Sequence, residues 1–150
     1  MADVHDVATR SRNMAAIRGA NTKPELQVRR ALHALGLRFR LHAKELPGKP
    51  DLVFPRHKAV IFVHGCFWHG HDCHLFKKPA TRQEFWADKI GRNAANDEKA
   101  MAALQAEGWR IGIVWECALK GRTKPDFGET MQALALWVRS AEPSITLRGK

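Results

Sequence analysis

The densest chemistry in the sequence is FVHGCFWHGHDC, residues 62–73, where two cysteines, three histidines and two adjacent aromatics follow a hydrophobic run. Cys66, His71 and Cys73 offer two sulfurs and an imidazole nitrogen from one loop. Cys117, just past the run WRIGIVW, can bring a third sulfur. Zinc favours this donor set, usually four ligands in a closed tetrahedron when its role is structural. The set uses all three cysteines, which cannot all pair within one chain, so a disulfide framework is a poor reading. Three reduced, partly buried cysteines are the plain alternative. His74 is a rival nitrogen ligand, awkwardly placed beside Cys73. His64 and His69 fall outside the ligand set. An imidazole there can exchange a proton near neutral pH, or be an ordinary hydrogen-bonded histidine.

PGKPDLVF supplies a carboxylate. Asp51 opens a hydrophobic strand after a turn, and the next strand runs AVIFVH, so Asp51 can sit beside the backbone around Val63 at a sheet end. A carboxylate with a backbone carbonyl suits a hard divalent ion such as magnesium, which keeps several waters while it holds a phosphate. A turn-closing aspartate is the alternative. Asp97 lies on the same helical stripe as Trp86, Ile90, Ala94, Met101 and Leu104. Facing inward, it needs a partner, and one of the two histidines would serve. At the stripe's edge it could instead reach solvent.

These residues need elements to hold them. Pro24 to Leu35 reads as a helix, with Gly36 at its end and Thr22 and Glu25 in capping-box spacing. RFRLH (38–42), DLVF (51–54) and AVIFVH (59–64) read as strands separated by the turns LPGKP and PRHK, close enough to pair antiparallel. A second T-x-x-E, Thr81 and Glu84, opens a long helix ending near Gly108. That helix forms a crossover to the strand WRIGIVW (109–115), so parallel pairing is expected there. A last helix is expected from about Gly128 to Arg139, and SRNMAAIR can form a short helix that orders against a partner. The expected fold is α/β: one domain over residues 1–150, a central mixed sheet flanked by helices, and an arm at about 1–20 that can move.

The charge narrows the partner. Lys and Arg number 25 against 15 Asp and Glu, a formal net charge of +10 spread along the chain. That balance favours a polyanion over a membrane, since no stretch is apolar enough to span a bilayer and no lipidation signal is present. The start MADVHDVATR has no hydrophobic signal region, so a soluble intracellular protein is expected.

The Pro50–Asp51 pair at a strand start resembles the restriction-endonuclease-like nucleases, although the second strand reads FVHG where an acid, a spacer and a lysine belong. A more specific resemblance runs through SRNMAAIRGANTKPE, LPGKPDLVF, VIFVHGCFWHGHDC, PATRQEFWADKIGRNAANDEKAMAALQAEGWR and VWECALKGR. Over roughly residues 9 to 122 the chain resembles the very short patch repair endonucleases. That resemblance implies a magnesium-dependent enzyme that nicks one strand of duplex DNA beside the thymine of a T:G mismatch. It implies a bacterial, cytoplasmic monomer working at the nucleoid, with mismatch-repair proteins and a repair polymerase as further partners.

It also implies roles. Asp51 becomes the magnesium-binding carboxylate with the carbonyl of Val63 beside it, where the family can carry threonine. His69 becomes the leading acid/base group supported by His64, and Glu25 a further acidic site residue. Phe67 and Trp68 fit either a core or a base stack. The resemblance favours an aromatic wedge in the DNA, adds Trp86 to it, and has Met14 insert from the opposite groove. A zinc-stabilised DNA-binding module without catalysis, and a nuclease for RNA or unpaired DNA, are the competing functions.

Overall fold

The computed structural model describes residues 22–149. Met14, the arm at about 1–20 and the SRNMAAIR segment lie outside the described residues. Helix α1 spans Lys23–Ala34. Thr22 caps it by accepting from the Glu25 amide at 3.4 Å, and Pro24 occupies the first turn. Val28 and Leu32, one turn apart, are fully buried and fix the face that α1 turns inward. Replacing Leu32 by alanine would cost about 2–5 kcal/mol.

Strands β1 (Arg40–Leu41), β2 (Leu52–Phe54) and β3 (Ala59–His64) form an antiparallel meander. Helix α2, Gln83–Ala106, carries the chain over to β4, Arg110–Trp115, which pairs parallel to β3 with Ala59 opposite Arg110 and His64 opposite Trp115. Helix α3, Phe127–Arg139, leads to β5, Ser144–Leu147, parallel to β4. The described residues thus form a mixed five-stranded sheet in the order β1-β2-β3-β4-β5 with three α-helices.

Alternation along β3 assigns its faces. Ala59 and Ile61 join Val28 and Leu32 of α1 and Leu134 and Val138 of α3 in one core. Val60 and Phe62 join Leu104 of α2 in the other. His64, two residues beyond Phe62, therefore falls on the α2 side of the sheet. Gly112 on β4 permits a close approach on the opposite side: a Cβ there would lie 2.9 Å from the Trp137 ring of α3.

Two expectations need correction, and one strand goes beyond them. Thr81 and Glu84 do not form the capping box expected for α2. The chain enters that helix through Arg82 at φ +52°, with no side-chain cap, and the Arg82 guanidinium lies over the Phe85 ring instead. The ordered strands at 38–42 and 51–54 are shorter than read; at the ends that face the site, the His42 side chain bonds Glu25 and the Asp51 side chain bonds the Val63 amide. Strand β5 was not expected at all. SITL is a short edge strand with alternating exposure and carries too little apolar signal to stand out.

Candidate active site and metal centre

The carboxyl end of β3 is where the chemistry collects. Asp51, at the entry to β2, turns its Oδ2 onto the backbone N–H of Val63 at 2.7 Å. Glu25, in the first turn of α1, is 1% exposed and lies beside Asp51; its Oε2 accepts from Arg29 at 3.2 Å and from the His42 ring at 2.8 Å. One ligand atom each from Glu25, His42 and Asp51 falls within 4.8 Å of the others. Burial pushes the Asp51 carboxyl up to about 7. The Val63 N–H acts against that rise and the neighbouring Glu25 adds to it.

A second group stands next along the strand. The His64 ring is buried and stacks on His69, with centroids 3.9 Å apart and planes 9° apart. His69 Nδ1 is hydrogen-bonded to Asp97 of α2. The inward stripe of α2 is real but shallow: Trp86, Ile90, Ala94, Asp97 and Met101 are half-buried and Leu104 is fully buried. Burial first, and the adjacent His69 second, lower the His64 pKa to about 3, so its ring is neutral near pH 7. His64 Nδ1 has no hydrogen-bond partner.

The third group is the cysteine cluster. Cys66, His71, Cys73 and Cys117 place their ligand atoms within 4.8 Å of one another, with His71 Nδ1 at 3.5 Å from both Cys66 Sγ and Cys117 Sγ. Cys117 reaches the loop because β4 runs parallel to β3 and the short 3₁₀ turn Glu116–Ala118 follows it. Glu116 Oε1 accepts from the Cys66 amide at 3.2 Å, and Trp115 stacks on the His71 ring at 4.0 Å. Burial raises both the Cys66 and Cys117 thiols. His74 stands apart, with its Nδ1 3.3 Å from Thr123 Oγ1, so it does not displace His71 from the cluster.

The loop held by this cluster presents aromatics. Phe67 and Trp68 meet edge-on at 5.3 Å, and Trp86 at the start of α2 lies 5.5 Å from Phe67 and 5.7 Å from Trp68. Phe76 stacks on Phe67, and Phe85 is 40% exposed. These rings pack on one another beyond the sheet and belong to neither core cluster. Trp86 therefore sits in this outer group, not under the sheet as its helical phase alone suggested. Gly70 shapes the loop at φ +64°, where a Cβ would lie 2.8 Å from Ile90. Asn93 of α2 donates to the Trp68 carbonyl at 2.9 Å.

His42 is the site residue that motif reading missed. The signal was available in the register: Leu41 pairs with Leu52, which brings His42 opposite Asp51.

A mixed sheet with two close carboxylates, a histidine pair and a Cys/His cluster near the carboxyl end of its central strand defines the class, an α/β protein with three groups of candidate metal ligands. Comparison with known proteins makes this specific. Residues 2–75 match the family described as DNA mismatch endonuclease Vsr. The chain is 51% identical over 138 residues to the DNA mismatch endonuclease Vsr of Escherichia coli strain K12, covering 92% of this chain and 88% of that protein. It is 54% identical over 106 residues to the type II nicking enzyme V.XorIIP of Xanthomonas oryzae pv. oryzae, 71% of this chain and 78% of the relative. Against V.NmeAIP of Neisseria meningitidis serogroup A it is 40% identical over 122 residues, 81% and 87% of the two chains. The chain belongs to the Vsr family of DNA mismatch endonucleases.

Proposed function

We propose that this enzyme, a single domain with a restriction-endonuclease-like fold, uses magnesium to nick one strand of duplex DNA beside the thymine of a T:G mismatch. The observation that carries the reading is that consecutive residues at the end of β3 hold the two groups, Asp51 on the Val63 amide and the stacked pair His64–His69 with its Asp97 partner. The relatives' names speak for mismatch cleavage and nicking.

The residues suit a hard dication. Glu25 offers a buried carboxylate and Asp51 a half-buried one whose charge burial disfavours, and the main-chain carbonyl of Val63 is the further oxygen ligand the reading assigns. Magnesium bound there would neutralise phosphate charge and polarise a water. His69 exchanges the proton: Asp97 holds Nδ1, fixing the tautomer and leaving Nε2 for the reaction. His64, neutral and stacked against it, keeps the ring in place and leaves the proton exchange to His69, because burial disfavours a charge on its own ring.

Zinc suits the cysteine cluster. A tetrahedron with Zn–S of about 2.3 Å and Zn–N of about 2.0 Å has S···N edges of roughly 3.5 Å, the separation found on both sides of His71. A dication would also supply the charge that turns the buried thiols into thiolates. So held, the loop offers Phe67, Trp68 and Trp86 as a wedge for the base stack, which opens more readily at a mismatch. Met14 would enter from the other groove. Mismatch-repair proteins and a repair polymerase are the partners such a nick calls for, and a monomer suffices for one strand.

Nicking of end-labelled duplexes, matched and T:G-containing, with and without magnesium tests this. One labelled product from the T:G duplex with magnesium is expected; equal cutting of matched duplex, or cutting in chelator, would reject it.

A further inference from the structure

The cation reading leaves a geometric problem. Its two carboxylates come from separate elements, Glu25 from α1 and Asp51 from the entry to β2, and their like charges repel. Arg29 bonds Glu25 from one turn further along the same helix. His42 is placed to set the relation between the two. Its ring Nε2 lies 2.8 Å from Glu25 Oε2, where the ring N–H donates to the carboxylate, and its backbone N–H donates to the Asp51 carbonyl at 3.1 Å.

The backbone carries the same message. His42 follows β1 immediately and continues its ladder with β2, then leaves it at φ +47°, in the left-handed region where histidine is tolerated better than most side chains. That bend ends the strand. The side chain is 29% exposed and spans from the sheet edge to a glutamate that is 1% exposed. One residue thus bonds to both acidic positions, through two different atoms.

We propose that His42 is a positioning residue that holds Glu25 in register with Asp51 and thereby sets the affinity of the site for its divalent ion. This rests on the reading that Glu25 and Asp51 hold that ion. Groups that orient metal ligands without contacting the metal commonly govern affinity in this way.

The test compares His42→Leu, which fills the space without a donor, with His42→Gln, whose amide N–H can restore the bond. Binding of Mn²⁺ to the zinc-loaded protein without DNA is followed by electron paramagnetic resonance, with Asp51→Asn as the reference for loss of the site. His42→Leu should weaken Mn²⁺ binding about tenfold, with unchanged zinc content, and His42→Gln should recover most of it. In nicking assays His42→Leu should raise the magnesium concentration for half-maximal rate while the rate at saturating magnesium changes far less. Parental Mn²⁺ affinity in His42→Leu, with Asp51→Asn defective, would overturn the role of His42 and leave the cation site standing. A glutamine variant as weak as the leucine variant would overturn it as well. Absence of Mn²⁺ binding to the parent protein would overturn the cation site and this inference with it.

Discussion

Asp51 and His64 have opposite protonation problems in one neighbourhood. Burial disfavours the charge on each, which holds the carboxyl near 7 and the imidazole near 3. A cation relieves the first, so Asp51→Asn should leave the fold and duplex binding intact while lowering magnesium-dependent nicking roughly 10³-fold, several kcal/mol of transition-state stabilisation. Single-turnover nicking checks it, and near-normal turnover in a folded variant would remove Asp51 from the role. His64 bears on stability. An unfolded chain takes up a proton as the pH falls through 6.5, while the folded ring refuses it until about 3. Folding is therefore penalised as pH drops through that window, by up to about 1.4 kcal/mol per pH unit. Urea unfolding from pH 7 to 4.5 should show a shallower acid loss in His64→Gln than in the parent protein; parallel curves would refute the assignment. The placement of Asp51 beside Val63 and of Asp97 against one of the two histidines could be read from strand order and helical phase. The placement of His42 could not, because it comes from lying across the ladder from Asp51, and a strand-end histidine without a register is only a polar residue.

At the scale of elements, the parallel pair β3–β4 does the joining. It puts the loop after His64 beside the turn after Trp115, which is how Cys117 meets Cys66 and His71. Cys117→Ser should weaken or abolish zinc binding and loosen residues 66–73, since a structural tetrahedron missing one thiolate is incomplete. Metal analysis giving one full equivalent of zinc in the variant would exclude Cys117 as a ligand. This parallel pairing was legible, because a crossover of helical length between two hydrophobic runs leaves little else. Two features were not. The start of α2 follows a left-handed Arg82 stacked on Phe85, a contact that T-x-x-E spacing does not encode. Strand β5 owes its place to the edge of β4 more than to its own sequence, with only Ile145 and Leu147 of its residues packed on the core.

Across the whole molecule, the proposed function divides the work of binding between charge and shape. On that proposal the net +10 would serve phosphates of any sequence, and the Phe67–Trp68–Trp86 group would serve a weakened pair. Replacing Phe67 and Trp68 by alanine should weaken binding to T:G duplex more than to matched duplex, by roughly 1–3 kcal/mol for each lost stacking contact. Zinc content and melting temperature serve as controls at one fixed salt concentration. A destabilised protein with an unchanged matched-to-mismatched ratio would return both rings to a packing role. The cysteine cluster has a consequence of another kind. His71 and Cys117 are 46 residues apart in the chain, so an ion bound to both acts as a removable cross-link around the α2 crossover. Closing a loop of that length subtracts freedom from the unfolded chain worth roughly 4 kcal/mol in the chain-entropy treatment of such links. The supply of metal in the surrounding fluid would then govern how long the enzyme survives, quite apart from how fast it cuts.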